Sequence, residues 1–133
     1  MLKAEAGADL IVKLEDGADL LGELARLGVE AGLVLGIGMV REARLGYWNG
    51  SAYEEHKIPE SAELLSLQCN LSLKDGKPFP HCHAVLGRRD GTVIGGHLLG
   101  AKVHNVNELY IKRLDIRLER RKEKSGLFGL YIS

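Results

Sequence analysis

The stretch PHCHAVLGRRDGTVIGGHLLG, Pro80 to Gly100, predicts a β-hairpin, because two largely apolar segments flank the turn-forming residues Arg89-Asp90-Gly91. It contains three of the five histidines of the chain. His81 and His83 are two residues apart, and alternate side chains of a strand point to the same face, ~6–7 Å from each other. Their imidazoles can therefore converge on one metal ion.

Whether His97 joins them depends on the length of the hairpin loop. A two-residue loop at Asp90-Gly91 pairs His83 with Leu98, and His97 then points to the opposite face. A three-residue loop that begins at Arg89 places His83 opposite His97. A bulge at the glycine pair before His97 would shift either register. The residues alone leave both registers open.

Composition and charge narrow the class of protein. The 133 residues, 45% of them hydrophobic, predict a single domain over residues 1–133. Neither a membrane-spanning run nor a signal peptide is recognisable, so we expect a cytoplasmic protein without membrane contact. Eighteen basic residues balance eighteen acidic ones, whereas a domain that binds DNA by itself usually has a basic excess. The basic run KRLDIRLERRKEK, Lys112 to Lys124, is interpreted as a solvated face or edge.

The remaining segments predict an α+β fold. Residues 16–32 indicate a helix with Asp16 as its cap and an apolar stripe formed by leucines 20, 21, 24 and 27. LVLGIGMV, Leu33 to Val40, indicates a short buried strand, and turns are expected at Asn49-Gly50 and Asp75-Gly76. At least six strands and one main helix favour an antiparallel β-sheet with the helix packed on one face.

Two cysteines, Cys69 and Cys82, lie in apolar stretches. Without export features in the chain we expect both to be reduced and packed in the core. Cys82 points away from the flanking His81 and His83, which makes it a poor additional metal ligand.

The segment SLQCNLSLKDGKPFPHCHAVLGRRDGTVIGGHLLGAKV closely resembles the PPC domain, the plants-and-prokaryotes conserved domain that also occurs in AT-hook nuclear-localised proteins. GIGMVREARLGYWN upstream and NELYI downstream belong to the same resemblance, which covers nearly the whole chain. It implies an α+β fold that assembles as a homotrimer, with His81, His83 and His97 as the ligands of zinc or another divalent transition metal. It therefore favours the three-residue loop.

The resemblance implies several roles. Plant members contact DNA through an attached AT-hook segment, which this sequence does not contain, and their partner-binding motif is replaced here by ESAELL, Glu60 to Leu65.

The expected function is a metal-binding homotrimer with a DNA-associated or regulatory role. The alternative is a small metal-dependent enzyme, or a metal-assisted binder of a small anionic ligand. Asn70 and Glu108 are candidates for orienting the metal ligands or a bound molecule, and Glu108 or Asp90 for a general acid or base.

Overall fold

The computed structural model describes residues 1–132 and consists mostly of one antiparallel sheet with a single short helix. In chain order the elements are β1 (Leu2–Ala6), β2 (Asp9–Glu15), α1 (Leu20–Arg26), β3 (Gly32–Trp48), β4 (Tyr53–Ile58), β5 (Ala62–Lys74), β6 (Lys77–Gly87), β7 (Val93–Arg113), β8 (Glu119–Lys122) and β9 (Phe128–Tyr131). The expectation of an antiparallel sheet is confirmed.

Long strands close the sheet on itself. β7 pairs with β3 from His97 to Arg113, with β2 along its second half and with β6 along its first five residues; β3 also pairs with β5, and β5 with β6. The apolar side chains of this circuit that point inward form one core, which includes Val34, Leu45, Leu67, Leu98 and Ile111. The outward-pointing side chains form a second surface, called here the outer face.

The helix is shorter than the sequence pattern indicates. α1 has seven residues and begins after Asp19, and Leu20 and Leu24 are buried while Leu21 and Leu27 pack partly against the core. Asp16 does not cap it. Its Oδ1 instead accepts hydrogen bonds from the backbone N–H of Asn105 and from Arg41 Nη1. The helix is therefore a short cover over a β-dominated core rather than a main layer.

The hairpin has the three-residue loop. Arg88 N–H donates to the carbonyl of Thr92 at 2.8 Å, and Gly91 adopts φ +85°, the left-handed conformation that this loop requires. The register continues without a shift from Gly87 opposite Val93 to His83 opposite His97. The register implied by the resemblance is thus the one observed.

The interpretation of residues 33–40 as a short buried strand is wrong. They are part of the 17-residue strand β3, in which Val34 and Val40 are buried while Leu33, Leu35 and Ile37 are exposed. The apolar run is continuous because both faces of the strand carry apolar side chains, and only one of them packs against the core. A continuous apolar run cannot show which face is covered.

The expectation of reduced cysteines is also wrong. Cys69 of β5 lies directly opposite Cys82 of β6, and the two form a disulfide with a Cα–Cα distance of 4.1 Å. Both side chains are buried, as expected. The strand register brings the two cysteines together, because directly opposed cysteines on one face of an antiparallel pair have neighbouring sulfur atoms.

The C-terminal segment returns to the sheet, as its apolar composition predicts. β8 and β9 form an antiparallel hairpin, and β8 pairs with β5 in parallel through Leu73 and Glu119. Residue 133 lies outside the described residues. Within residues 1–132, no helix has the length and apolar character needed to cross a membrane.

Candidate metal centre

Three histidines converge on the outer face at the β6–β7 hairpin. One ring nitrogen from each of His81, His83 and His97 lies within 4.8 Å of the corresponding atoms of the other two. Their ring centroids are 5.2 to 5.7 Å apart. The i, i+2 spacing of the first two and the pairing of His83 with His97 produce this arrangement from strand geometry alone.

The histidines are held by neighbours on other strands. Tyr53 of β4 stacks on His97 with a centroid distance of 4.4 Å, and its hydroxyl lies 3.5 Å from Nδ1 of that ring. Arg120 of β8 reaches His81, with Nη2 3.1 Å from Nδ1. Because an arginine can only donate, Nδ1 of His81 accepts this hydrogen bond through its lone pair.

Arg120 connects the C-terminal hairpin to the site. Its side chain is 8% exposed, its Nε donates to Ser72 Oγ at 3.1 Å, and its Nη1 donates to the carbonyl of Phe128 at 2.9 Å. Nη2 also donates to the side-chain oxygen of Asn70. None of the nine ion pairs found among residues 1–132 includes Arg120. Its positive charge is buried without a carboxylate partner, and burial lowers its pKa.

His81 and His97 favour their neutral form. Burial, followed by the positive charge of Arg120, lowers the pKa of His81 to about 4. Burial, followed by the neighbouring His83, also lowers the pKa of His97. Near neutral pH these two imidazoles are therefore uncharged, as a metal ligand requires.

A cavity of about 890 Å³ opens directly beside the three histidines. Aromatic side chains make up much of its wall: Trp48, Tyr53, Phe79 and Phe128. Lys74 and Arg120 also line it, and the ammonium of Lys74 lies 4.0 Å from the ring centroid of Phe128. The cavity is within the size range of small-molecule sites, ~300–1,000 Å³. Its position makes the three histidines accessible to a ligand.

The three other residues that the sequence offered for the site lie in different parts of the molecule. Asn70 lies directly opposite His81 and shares its arginine, so it is next to the site. Glu108 instead lines a different cavity of about 490 Å³, together with Leu35 and Tyr110, and is absent from the wall of the histidine cavity. Asp90 forms the hairpin turn, where its carboxylate accepts hydrogen bonds from Thr92. Of these three, only Asn70 is placed to act on the histidines.

Arg120 is the site residue that the sequence did not reveal. It lies within the basic run that was interpreted as solvated, and most of that run is exposed as expected. Lys112 and Arg113 form ion pairs with Asp9 and Glu5 across the sheet. Nothing in ERRK distinguishes the buried arginine from its exposed neighbour Arg121, because the difference arises from how β8 packs on β5.

The histidines share the outer face with exposed apolar side chains. Across the sheet, His83 is opposite Gln68, Gln68 is opposite Leu35, and Leu35 is opposite Tyr110. Directly paired residues have side chains on the same face. We call the exposed group on β2, β3 and β7 the apolar patch; it comprises Ile11, Leu33, Leu35, Ile37 and Tyr110. The metal-site candidate and the apolar patch are therefore parts of one surface.

The chain thus combines a closed antiparallel sheet with a three-histidine cluster beside an aromatic cavity. The Plants and Prokaryotes Conserved (PCC) domain matches residues 1–115, and the chain belongs to this family, the one named PPC above. The match ends before β8, so Arg120 and the C-terminal hairpin lie outside it. No curated protein matches the chain.

Solved structures share the fold over nearly the whole chain. The PPC protein of Pyrococcus horikoshii is 31% identical with a TM-score of 0.88, covering 99% of this chain and 96% of its own. The metal-containing protein of Archaeoglobus fulgidus is 35% identical with a TM-score of 0.88, covering 96% of each chain. A "putative DNA-binding protein" of Bacteroides thetaiotaomicron is 25% identical with a TM-score of 0.92, covering 98% and 96%.

Proposed function

We propose that this chain is a metal-binding PPC-domain protein in which His81, His83 and His97 hold zinc or another divalent transition metal. The observation that carries the proposal is the meeting of three imidazole nitrogens within 4.8 Å at the edge of a cavity. The name of the metal-containing Archaeoglobus protein adds support from a relative.

The residues fit such an ion. Nitrogen ligands ~2.0–2.1 Å from a tetrahedral zinc are about 3.4 Å from one another, so atoms within 4.8 Å need only small side-chain rotations to reach bonding distance. Neutral imidazoles suit zinc and its neighbours in the transition series. Three protein nitrogens leave a coordination position for a water or a bound molecule.

Metal binding and the Arg120–His81 hydrogen bond exclude each other. A neutral imidazole has one nitrogen with a lone pair and one with a proton. Arg120 donates to Nδ1 of His81 and so uses that lone pair. If the ion takes Nδ1, Arg120 is displaced; if it takes Nε2, Nδ1 carries the proton and cannot accept. Loading the site therefore releases one N–H of Arg120.

Self-association is the second part of the proposal. The resemblance implies a homotrimer, and the apolar patch offers a surface for it. Soluble monomers rarely expose large contiguous apolar patches, and Leu33, Leu35 and Ile37 of one strand are each more than half exposed. We propose that other copies of the chain cover this patch.

A DNA-associated or regulatory role is the third part. It is supported by the name of the Bacteroides relative. The formal net charge of zero and the ion pairs of Lys112 and Arg113 argue for regulation through the assembly and its partners rather than through strong direct contact. Fluorescence anisotropy with a labelled duplex at low and high salt tests direct contact, which must weaken steeply as salt rises.

Calorimetric titration of metal-free protein with zinc tests the metal site. We expect about one ion per chain, and loss of the heat signal in the His81→Ala, His83→Ala and His97→Ala variants. The matched control is His56→Ala, because His56 is exposed on β4 outside the cluster. Zinc binding that survives all three cluster substitutions, or is lost in the His56 control, contradicts the proposal.

The alternative function is a metal-dependent enzyme or a metal-assisted binder of a small anion. The cavity beside the histidines favours it, since an ion with an open position can polarise a carbonyl or phosphoryl group and lower the pKa of bound water. An enzyme also needs a general acid or base. Glu108 and Asp90, the two candidates from the sequence, do not line the histidine cavity. The two residues that the sequence offered for this role are therefore not placed for it.

A further inference from the structure

The cavity beside the histidines is lined by both cationic and aromatic groups. Its cationic groups are Arg120 and Lys74, beside the uncharged imidazoles of His81 and His97. Glu123, on an exposed turn, is the only carboxylate among the described residues that line it. This surplus of positive groups indicates an anionic ligand.

The buried charge of Arg120 is the second observation. An uncompensated buried charge is unfavourable, and structures usually supply an opposite charge beside it. The polar groups around Arg120 are a hydroxyl, an amide oxygen, a backbone carbonyl and an imidazole, none of them negatively charged. A bound anion would provide the missing charge.

A metal held by the histidines would strengthen this requirement. It would place a second positive charge close to Arg120, and the N–H of Arg120 that points at His81 would become available to a ligand. Two neighbouring cations with a free donor between them are stabilised by an anion that contacts both.

The remainder of the cavity indicates what the anion is attached to. A volume of about 890 Å³ is far more than an inorganic anion fills. Trp48, Tyr53, Phe79 and Phe128 provide apolar wall beside the cationic groups. The occupant should thus carry both a negative charge and an apolar or aromatic group.

We propose that the cavity binds a small organic carboxylate, with the carboxylate between Arg120 and the histidine-bound metal and the apolar body against the aromatic wall. This inference rests on the metal proposed above for one of its two cationic contacts. Arg120 and the aromatic wall provide the other contacts without it.

Trp48 provides a direct readout, because it is the only tryptophan of the chain and lines the cavity. Benzoate is the probe, benzamide its neutral analogue, and inorganic phosphate an anion without a body. We expect benzoate to change the Trp48 fluorescence saturably, benzamide to bind about tenfold more weakly, and phosphate to bind more weakly than benzoate. Equal binding of benzoate and benzamide, or phosphate as tight as benzoate, overturns the proposal.

Arg120→Met should weaken benzoate about tenfold and leave benzamide unchanged. Arg121→Met is the matched control, since Arg121 is the adjacent, exposed arginine that stacks on Tyr131 outside the cavity. If Arg120→Met does not fold, Lys74→Met is measured in its place, with the same selective loss expected. Equal losses of benzoate affinity in Arg120→Met and in Arg121→Met would contradict the assignment of Arg120 as the anion contact.

Repeating the titration with and without zinc separates this inference from the metal proposal. Zinc should tighten benzoate binding, and benzoate should tighten zinc binding by the same factor. Selective benzoate binding without any zinc binding would refute the metal and retain Arg120 as the anion contact. Zinc binding without benzoate binding would retain the metal and refute Arg120 as the anion contact.

Discussion

The two ends of the outer face differ in what covers them. At one end, the C-terminal hairpin reaches the histidine cluster through Arg120, which bonds to His81 and to Ser72 of β5. At the other end, the apolar patch has no cover within residues 1–132, and Leu35 is 60% exposed. The polar end is thus partly covered while the apolar end is open, the reverse of what burial in a single chain normally gives.

We therefore expect the two ends to bind different partners: small ligands at the histidine end and further copies of the chain at the apolar end. The histidine end brings together the protein groups that the proposed binding of an ion and an anion would use. The apolar end is incomplete as a surface of one chain, which agrees with the proposal that further copies cover it. Tests that change one end and spare the other can therefore separate binding from assembly.

The largest effect is expected at the apolar end. Leu35→Glu would place a carboxylate inside the proposed interface, where an unpaired buried charge costs about 3–5 kcal/mol. We expect light scattering to show single chains where the unmodified protein shows three. Ile116→Glu is the control, because Ile116 is equally exposed at 59% but lies outside the sheet. If Leu35→Glu leaves the mass unchanged, the apolar patch is not the interface.

The disulfide beneath the histidine end should have the next largest effect. Cys69 and Cys82 enclose 13 positions of chain, and removing a crosslink of this span costs about 3 kcal/mol. We expect Cys69→Ala/Cys82→Ala to unfold at lower denaturant concentration and to be insensitive to reductant, whereas the unmodified protein should respond to it. Free thiols in the unreduced, denatured protein would show that the bond is absent.

Arg120→Met should destabilise the cover of the histidine end by about 2 kcal/mol, since Asn70, Ser72 and Phe128 each lose a charged donor. Chemical denaturation measures the change, and limited proteolysis should show earlier cleavage in the C-terminal hairpin. Arg121→Met should stay within about 0.5 kcal/mol of the unmodified protein. Indistinguishable curves for the two variants would mean that Arg120 does not hold the hairpin.

The smallest effect is expected at the turn that sets the histidine register. Gly91 has φ +85° with open space around its Cα, so Gly91→Ala meets no clash and costs only the conformational strain of about 1 kcal/mol. Zinc stoichiometry should be unchanged while the denaturation midpoint falls slightly. An unchanged midpoint would contradict the left-handed conformation of the loop.

The sequence predicted the histidine end better than the apolar end. Spacing placed His81 and His83 on one face, and the family resemblance selected the loop that brings His97 to them. Arg120 could not be predicted, because its burial depends on long-range packing of β8 against β5. Leu35 could not be assigned a face, since Val34 and Leu35 are equally apolar and only the sheet decides which of them points inward. Glu108, a candidate by its position after the histidine hairpin, lies at the second cavity, beside the apolar patch.

We propose that three histidines of one chain form a single metal site. Elemental analysis of the purified protein beside His81→Ala, His83→Ala and His97→Ala tests it most directly. The account predicts about one zinc or similar ion per chain in the unmodified protein and a loss of that ion in each variant. No metal after reconstitution with zinc, in protein that is otherwise folded, would contradict it.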